Sequence, residues 1–327
     1  MRSRTTQARL SRILNWYFQR IYRIHEGPGL LPWYCDPARV GHFALAPERL
    51  CSTPSAEDLF KLFIAMTMFQ ALRDAVIVQR QRAMTRDQVL DLSSLRRLSR
   101  AVSVHQCRAF EDPQYFANAC NVFKHGARID CSRHPGWSCP VKRATELYHR
   151  MGDMGKLPIS SLLYQRHEGL FGTGLRIILS NSSTPEQRAT KVIQQLSQVF
   201  RVGTKLATMW TSALSTPSLA PGLTPFFPAI QGDELVVIDT NVSQSIRFLG
   251  NAKTGVSYQA QATWLDYQAQ GIDLKAFDSG VASYSPRMVQ QALYWYRSKS
   301  NRVAIADPCA SKQTRCNTCC PELCPFA

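Results

Sequence analysis

Five of the eleven cysteines fall within the last nineteen residues, and four of them, Cys309, Cys316, Cys319 and Cys324, are spaced C-x6-C-x2-C-x4-C. Four thiolates folded closely around one centre suit a 4Fe–4S cluster or a tetrahedral zinc. Cys320 stands beside the third as a spare, and a reduced, unligated tail is the plain alternative. An earlier group, Cys120, Cys131 and Cys139 with His125 and His134, fits no common zinc-finger spacing, which leaves metal binding there open. Val202, Gly203, Thr204 and Lys205 stand between two expected helices, where the free N–H groups of a helix start favour an anion. The positive end of a helix also disfavours a charged amine, which is the condition for a nucleophilic lysine; a solvated helical lysine is the alternative. Asp239 closes the apolar run 235–238 ahead of a further expected helix. Its carboxylate can serve as an N-cap and is then aimed in a fixed direction.

Several helices are needed to hold these groups. Over residues 2–24, Leu10, Ile13, Leu14, Tyr17, Phe18 and Ile21 recur at helical period on one face, while six arginines and no acid spread over the rest. Helical period returns at 55–72, with Ser55 or Glu57 as cap, and again over 73–100 with seven arginines. After a loop-rich stretch at 103–142, helices are expected at 143–154 and 159–170. Thr184-Pro185-Glu186-Gln187 reads as a capping box with Pro at the first helical position, opening a helix to about Val199. A tight turn at 200–203 leads into a second helix through Leu214. Residues 215–234, rich in Pro, Ser and Gly, read as an inserted loop, and helices follow at 241–250, 258–269 and 286–298. Alternation of period two is never sustained, so the fold class is all-α. The expected divisions are a basic helix with a Pro/Trp loop at 1–54, a helical lobe with the Cys/His-rich loop at 55–183, the helices around the 200–203 turn at 184–300, and the cysteine loop at 301–327.

Charge narrows the class of partner. A formal net charge of +16 points to a polyanion, nucleic acid before an anionic membrane. The longest apolar stretch, 60–69, is broken by Lys61 and Thr67, far short of a membrane span. The four arginines of residues 1–12 are not followed by the apolar core of an export signal. A cytoplasmic monomer that binds DNA is therefore expected.

The cysteine tail resembles the iron–sulfur loop of endonuclease III and the MutY adenine glycosylases, one residue shorter in the last gap, which leaves open whether Cys319 or Cys320 is the third ligand. Upstream, Val202-Gly203-Thr204-Lys205-Leu206-Ala207 resembles the helix–hairpin–helix of the same superfamily, with Gly-Thr-Lys-x-Ala especially similar to 8-oxoguanine glycosylases. The family's Leu-Pro-Gly-Val-Gly is here Val199-Phe200-Arg201-Val202-Gly203, so that Arg201 replaces the first glycine. Ile238-Asp239-Thr240-Asn241-Val242, continuing to Arg247-Phe248-Leu249-Gly250, is similar to the family's Val-Asp-Thr-His-Val followed by Arg-Leu-Gly. Asn241 stands in place of the histidine, and 215–234 lengthens the spacing between Lys205 and Asp239.

This resemblance implies a two-lobed helix–hairpin–helix DNA glycosylase with a C-terminal 4Fe–4S loop on Cys309, Cys316, Cys319 and Cys324, zinc being the alternative. It implies that the amides of Arg201, Val202, Gly203 and Thr204 bind a DNA phosphate, with a monovalent cation at the hairpin. A modified base in double-stranded DNA is flipped out and excised, Asp239 stabilising the oxocarbenium-like sugar and Lys205 supplying the amine of a bifunctional glycosylase/lyase. Gln70 fills the vacated stack, or is simply an exposed glutamine. Arg20, Ile24, Pro32-Trp33, Asp36-Pro37 and Phe43 are similar to a helical region of the α-glutamyl/putrescinyl-thymine pyrophosphorylases and 5-hydroxymethyl-uridine DNA kinases of phages. That likeness points to hypermodified phage bases, such as glucosylated hydroxymethylcytosine, and to anti-phage defence. A base-modifying pyrophosphorylase or transferase on the same scaffold, or a non-catalytic DNA-binding module, are the alternatives.

Overall fold

The structure is a computed structural model that describes residues 4–51, 53–70, 72–148, 154–250 and 255–310. The helices are α1 (Arg4–Tyr17), α2 (Pro37–Val40), α3 (Ala56–Thr67), α4 (Asp74–Ala83), α5 (Arg86–Ser93), α6 (Leu95–His105), α7 (Pro113–Ala119) and α8 (Pro140–Tyr148). They continue with α9 (Lys156–Glu168), α10 (Thr173–Ser180), α11 (Pro185–Leu196), α12 (Thr204–Ala213), α13 (Thr240–Phe248), α14 (Tyr258–Ala269), α15 (Pro286–Arg297) and α16 (Lys299–Ala304). Among the described residues the single sheet is an antiparallel hairpin of β1 (Val122–His125) and β2 (Arg128–Cys131), inside the stretch expected to be loop. The chain is thus predominantly helical, as its periodicity requires.

It divides into two compact units, a terminal one of Met1–Pro32 with Thr211–Ala327 and a middle one of Trp33–Trp210. The separations therefore fall at 32/33 and 210/211 rather than at 54 and 183. The reason is the apolar face of α1, whose partners are supplied by the other end of the chain. Leu10, Ile13, Leu14, Tyr17, Phe18 and Ile21 are all fully buried on α1 and its π-helical continuation Phe18–Glu26. They share one core with Val242, Ile246, Leu265, Val289 and Leu293 of α13, α14 and α15. Arg9, Arg12, Arg20 and Arg23 remain exposed.

A buried polar network closes this core. Glu26 accepts hydrogen bonds from Tyr17 Oη at 2.7 Å and from Gln291 Nε2 and Trp295 Nε1 at 2.8 Å each. Gln291 Oε1 accepts from Arg287 Nη1 at 2.8 Å, and the buried guanidinium also donates to Gln290 Oε1 at 2.7 Å and to Ser212 Oγ at 2.8 Å. Burial pulls the pKa of Arg287 down, and the neighbouring Tyr17 and Glu26 oppose that shift. The segment 215–234 contains no α-helix, as expected of an inserted loop, and part of it is buried. Ser215, Thr216, Phe226 and Ile230 are buried, and the Gly232 amide donates to Ser215 O at 2.9 Å. A Cβ on Gly232 would lie 2.3 Å from the Ser215 carbonyl carbon, so this approach requires glycine.

In the middle unit, Phe60 and Phe63 of α3 meet Phe171 at ring distances of 5.4 and 5.1 Å, and Trp210 joins Phe63 at 6.0 Å. Helix α9 is buried along 157–164 and lies against α3, α6, α7 and α8. The helix expected over 55–72 stops at Thr67. Its last carbonyls find side-chain donors there, Thr67 Oγ1 giving to Ile64 O at 3.1 Å and Gln70 Nε2 to Thr67 O at 2.6 Å.

Replacing Glu26 with alanine strands the Tyr17 hydroxyl and the Trp295 N–H, and is expected to cost about 2–4 kcal/mol. Glu26→Gln keeps one acceptor oxygen and loses less. Denaturant midpoints of the three proteins check the order; an alanine variant as stable as the parent would remove the network from the account of this core.

Candidate active site

The 200–203 turn is built by two helices. Thr184 Oγ1 accepts from Gln187 N at 3.3 Å while Gln187 Oε1 accepts from Thr184 N at 3.1 Å, so α11 starts on the capping box read from the sequence. It ends at Leu196, and the Phe200 amide then donates to Ser160 Oγ of α9 at 3.0 Å, fastening the turn to the buried helix. Arg201 has φ +63°, in the left-handed region that favours glycine. This is the position at which the resembling motif carries glycine. Its guanidinium lies 5.8 Å from the ring of Phe200, and the Lys156 ammonium lies 5.4 Å from the same ring.

Val202 is buried and seats the turn, whereas Gly203 is exposed. A Cβ built on Gly203 meets nothing within 4 Å, and its φ is outside the left-handed region. Neither packing nor conformation inside the chain therefore calls for glycine at 203. Gly203 O accepts from the Leu206 and Ala207 amides at 3.1 and 3.2 Å, which leaves the N–H groups of Gly203, Thr204 and Lys205 as the open first turn of α12.

Lys205 is half-buried, and its Nζ donates to Phe69 O at 3.2 Å. That carbonyl adjoins Gln70, so two residues selected separately from the sequence come together just past the end of α3. Gln70 is not on a helix: it lies in the turn, half-buried, with its amide on Thr67 O. Phe69 is packed edge-on against Trp33 at 5.0 Å, which gives the Pro32-Trp33 pair a neighbour in this region.

In the terminal unit, Asp239 is the N-cap of α13, its Oδ1 accepting from Val242 N at 2.7 Å. The preceding run 235–238 has no regular secondary structure and, among the described residues, pairs with no strand. Its backbone is satisfied by side chains, Val237 N donating to Gln290 Oε1 at 3.2 Å and Tyr258 Oη to Val236 O at 2.7 Å. Gln290 is the residue that also receives Arg287, so the buried network ends on the segment that delivers Asp239. Sequence reading passed over Tyr258, Arg287 and Gln290. The available signal was Arg287-x2-Gln290-Gln291, a polar stripe at helical spacing on an otherwise apolar helix.

Of the proposed cluster ligands, Cys309 alone lies among the described residues; Cys316, Cys319 and Cys324, with the spare Cys320, lie outside them. Cys309 is buried, its amide donates to Asp307 Oδ1 at 3.1 Å, and its carbonyl accepts from the buried Arg302 at 3.2 Å. Arg302 also pairs with Asp307 at 3.7 Å. A guanidinium next to this cysteine is compatible with an anionic sulfur centre. In the middle unit, Cys107, Cys120, Cys131 and Cys139 line one cavity of about 320 Å³. Burial pushes the Cys120 thiol up to about 11 and raises the Cys139 thiol. No three His, Cys, Asp or Glu side chains among the described residues are placed to share one ion.

Exposed arginines lie on both units, Arg9, Arg12, Arg20 and Arg23 on one and Arg73, Arg82, Arg86, Arg96 and Arg100 on the other. Among the described residues no helix is long and apolar enough to cross a membrane. No protein-family model, curated protein or solved structure matches the chain. The functional reading accordingly rests on the residues and their geometry.

Arg201→Gly is expected to be more stable than Arg201→Ala by about 1 kcal/mol, because the two differ mainly in tolerance of a left-handed φ. Thermal unfolding of both variants tests this; equal stabilities would contradict the left-handed turn.

Proposed function

We propose that this chain is a DNA N-glycosylase of the helix–hairpin–helix type. The observation that carries the reading is the 200–203 turn. A left-handed residue at 201 leads to an exposed glycine at 203, with no internal reason to be glycine, whose amide is the first of three open ones at the start of α12. Such a turn lets a phosphate oxygen approach the backbone closely, with the helix dipole favouring its charge. A monovalent cation at the hairpin completes the phosphate site. The exposed arginines supply the sequence-independent attraction to the duplex.

In the proposed reaction the modified nucleotide is flipped out of the stack, and the bond between its base and C1′ breaks as positive charge builds on the sugar. Asp239 stabilises that charge, its direction set by the capping bond to Val242 N. In the hydrolytic branch water adds to C1′, and its proton leaves with the base. In the lyase branch the Lys205 amine adds to C1′ as the bond to the base breaks, the amine's proton leaves with the base, and opening of the C1′–O4′ bond gives a Schiff base that permits strand cleavage by elimination. Gln70, next to the carbonyl that holds Lys205, occupies the space left in the stack. A 4Fe–4S cluster would be held by Cys309, Cys316, Cys319 and Cys324 and would supply structural order there, with no step of base removal assigned to it. The likeness of the N-terminal region to enzymes of thymine hypermodification extends the proposal to bulky phage bases, glucosylated hydroxymethylcytosine among them, and to a defensive role.

The deciding experiment is mass spectrometry of what is released from duplexes carrying glucosylated hydroxymethylcytosine, hypermodified thymine or unmodified bases. Free modified base with an abasic site left behind supports the glycosylase. A base altered in place indicates the transferase alternative, and bound but unchanged DNA a binding module. Asp239→Asn is expected to abolish release while sparing duplex binding, and borohydride should trap the parent protein on substrate but not Lys205→Met. Full activity in the Asp239 variant would overturn its assignment.

Gly203→Ala separates the phosphate site from stability. The melting temperature should stay unchanged, since a Cβ there has open space, while affinity for DNA falls roughly tenfold or more, about 1.4 kcal/mol for each factor of ten. Unimpaired binding, measured by fluorescence anisotropy at fixed salt, would argue against phosphate at this turn.

A further inference from the structure

Beside the hairpin β1–β2, stretches far apart in sequence meet around the cavity of about 320 Å³ that the cysteines line. The 3-10 turn Arg108–Phe110 brings Arg108, the loop between β2 and α8 brings Arg133 and Trp137, and the first turn of α8 brings Lys142. No Asp or Glu lines this cavity. Arg108 and Arg133 are exposed, and neither pairs with a carboxylate among the described residues. Cations gathered around one cleft focus a positive potential into it and raise the local concentration of anions. Helix α8 starts at this wall, and the positive end of its dipole adds to that potential.

The loop that carries Arg133 is braced without using its guanidinium. Asp130 Oδ1 accepts from Cys131 N at 2.8 Å, Gly136 N at 3.4 Å and Lys142 Nζ at 3.0 Å, and Oδ2 accepts from Arg128 Nη2 at 2.8 Å. The Trp137 amide donates to His134 O at 3.2 Å, and Gly136, at φ +70°, supplies the left-handed residue of that turn. Trp137 is half-buried, its ring edge-on to the imidazoles of His105 and His134 at 5.1 and 4.7 Å. The interior of the cavity is neutral. Phe110, Ala119 and Val141 are buried apolar walls. Burial pushes the Cys120 thiol up to about 11 and raises the Cys139 thiol, so both stay protonated at neutral pH and add no negative charge.

Exposed cations over an apolar, neutral interior, with one aromatic ring beside them, suit a ligand that is anionic at one end and flat at the other. Phosphate matches the guanidinium fork, which donates two parallel N–H bonds, and an aromatic base matches an indole face and apolar walls. A bare oxyanion would leave those walls unused, and a cavity at the small end of the range for ligand sites has no room for a duplex. We propose that this cavity binds a single nucleotide unit, its phosphate on Arg108 and Arg133 and its base against Trp137 and the buried apolar walls. Lys142, held in place by Asp130, adds charge beneath the phosphate. The unit comes as a free nucleoside monophosphate or as the 5′-phosphorylated end of a DNA strand, which present the same chemistry. The site is separate from the 200–203 turn and does not depend on base excision by this chain.

The test is isothermal titration calorimetry of the full chain, under reducing conditions, with the four deoxynucleoside 5′-monophosphates, the matching nucleosides and inorganic phosphate. At least one monophosphate should bind saturably, roughly tenfold or more tighter than its nucleoside or phosphate alone. Arg108→Ala and Arg133→Ala should each weaken it about tenfold, and the double variant about a hundredfold, with melting temperatures unchanged because both side chains are exposed. Trp137→Ala should cost about tenfold through lost stacking, and Trp137→Phe less. Gly203→Ala should leave nucleotide affinity as it is. A 5′-phosphorylated single-stranded oligonucleotide separates the two sources: competition assigns a strand end, and its absence a free nucleotide. No saturable binding of any monophosphate, phosphate or nucleoside bound as tightly as the nucleotide, or full affinity in the double arginine variant would each overturn the site. Loss of binding in Gly203→Ala would move the nucleotide to the 200–203 turn and overturn it as well.

Discussion

Backbone N–H and C=O groups taken out of water have to be paired, and the run that delivers Asp239 has no neighbouring strand to pair with. Its partners are side chains instead, Gln290 on the Val237 amide and Tyr258 on the Val236 carbonyl. The same Gln290 oxygen is also held by Arg287, and Arg287 is tolerated in the core because Gln290, Gln291 and Ser212 share its protons. Through Gln291 the chain of bonds reaches Glu26, at the end of the first helical run of the protein. The first twenty-six residues and the last long helix are in this way joined by one polar thread. The apolar face of α1 supplies the burial energy of the terminal unit; the thread supplies the position of the carboxylate.

The groups assigned to chemistry share a local device. Asp239 caps α13, and Thr204 and Lys205 open α12. The start of a helix presents unpaired amides and the positive end of its dipole, so it aims a carboxylate or receives a phosphate oxygen by one mechanism. What differs is the fastening. The 200–203 turn is tied by the Phe200 amide to Ser160 of a helix buried along most of its length, whereas the hairpin beside α8 is tied through the carboxylate of Asp130. Paired first with Arg128 and then with Lys142, that carboxyl is held well below the usual carboxylate range.

Much of this was legible in the residues. The apolar spacing from Leu10 to Ile21 gave a buried face, the Thr184 capping box located one helix start, and of the two caps offered for another, Ser55 and Glu57, the structure uses Ser55. The capping role of Asp239 followed from an acid placed between an apolar run and a helical period. Less local features were misjudged. The helix over α3 ended at Thr67 because side-chain donors there outweighed its continuing apolar period. The segment 215–234 reads as an inserted loop and contains no α-helix; what its composition does not show is that it is folded into its unit around Gly232.

Helix starts and periodicity depend on neighbours three or four residues apart, and so the chain by itself determined a predominantly helical protein with Asp239 and Thr204 at helix starts. Contacts between distant positions have no such signature. That α1 belongs with α15, that Lys205 rests on the carbonyl beside Gln70, and that four cysteines spread over 107–139 line one cavity were decided by tertiary structure alone. In each case the partner is chosen by burial and by the need to pair polar groups across the fold, which spacing along a sequence does not record.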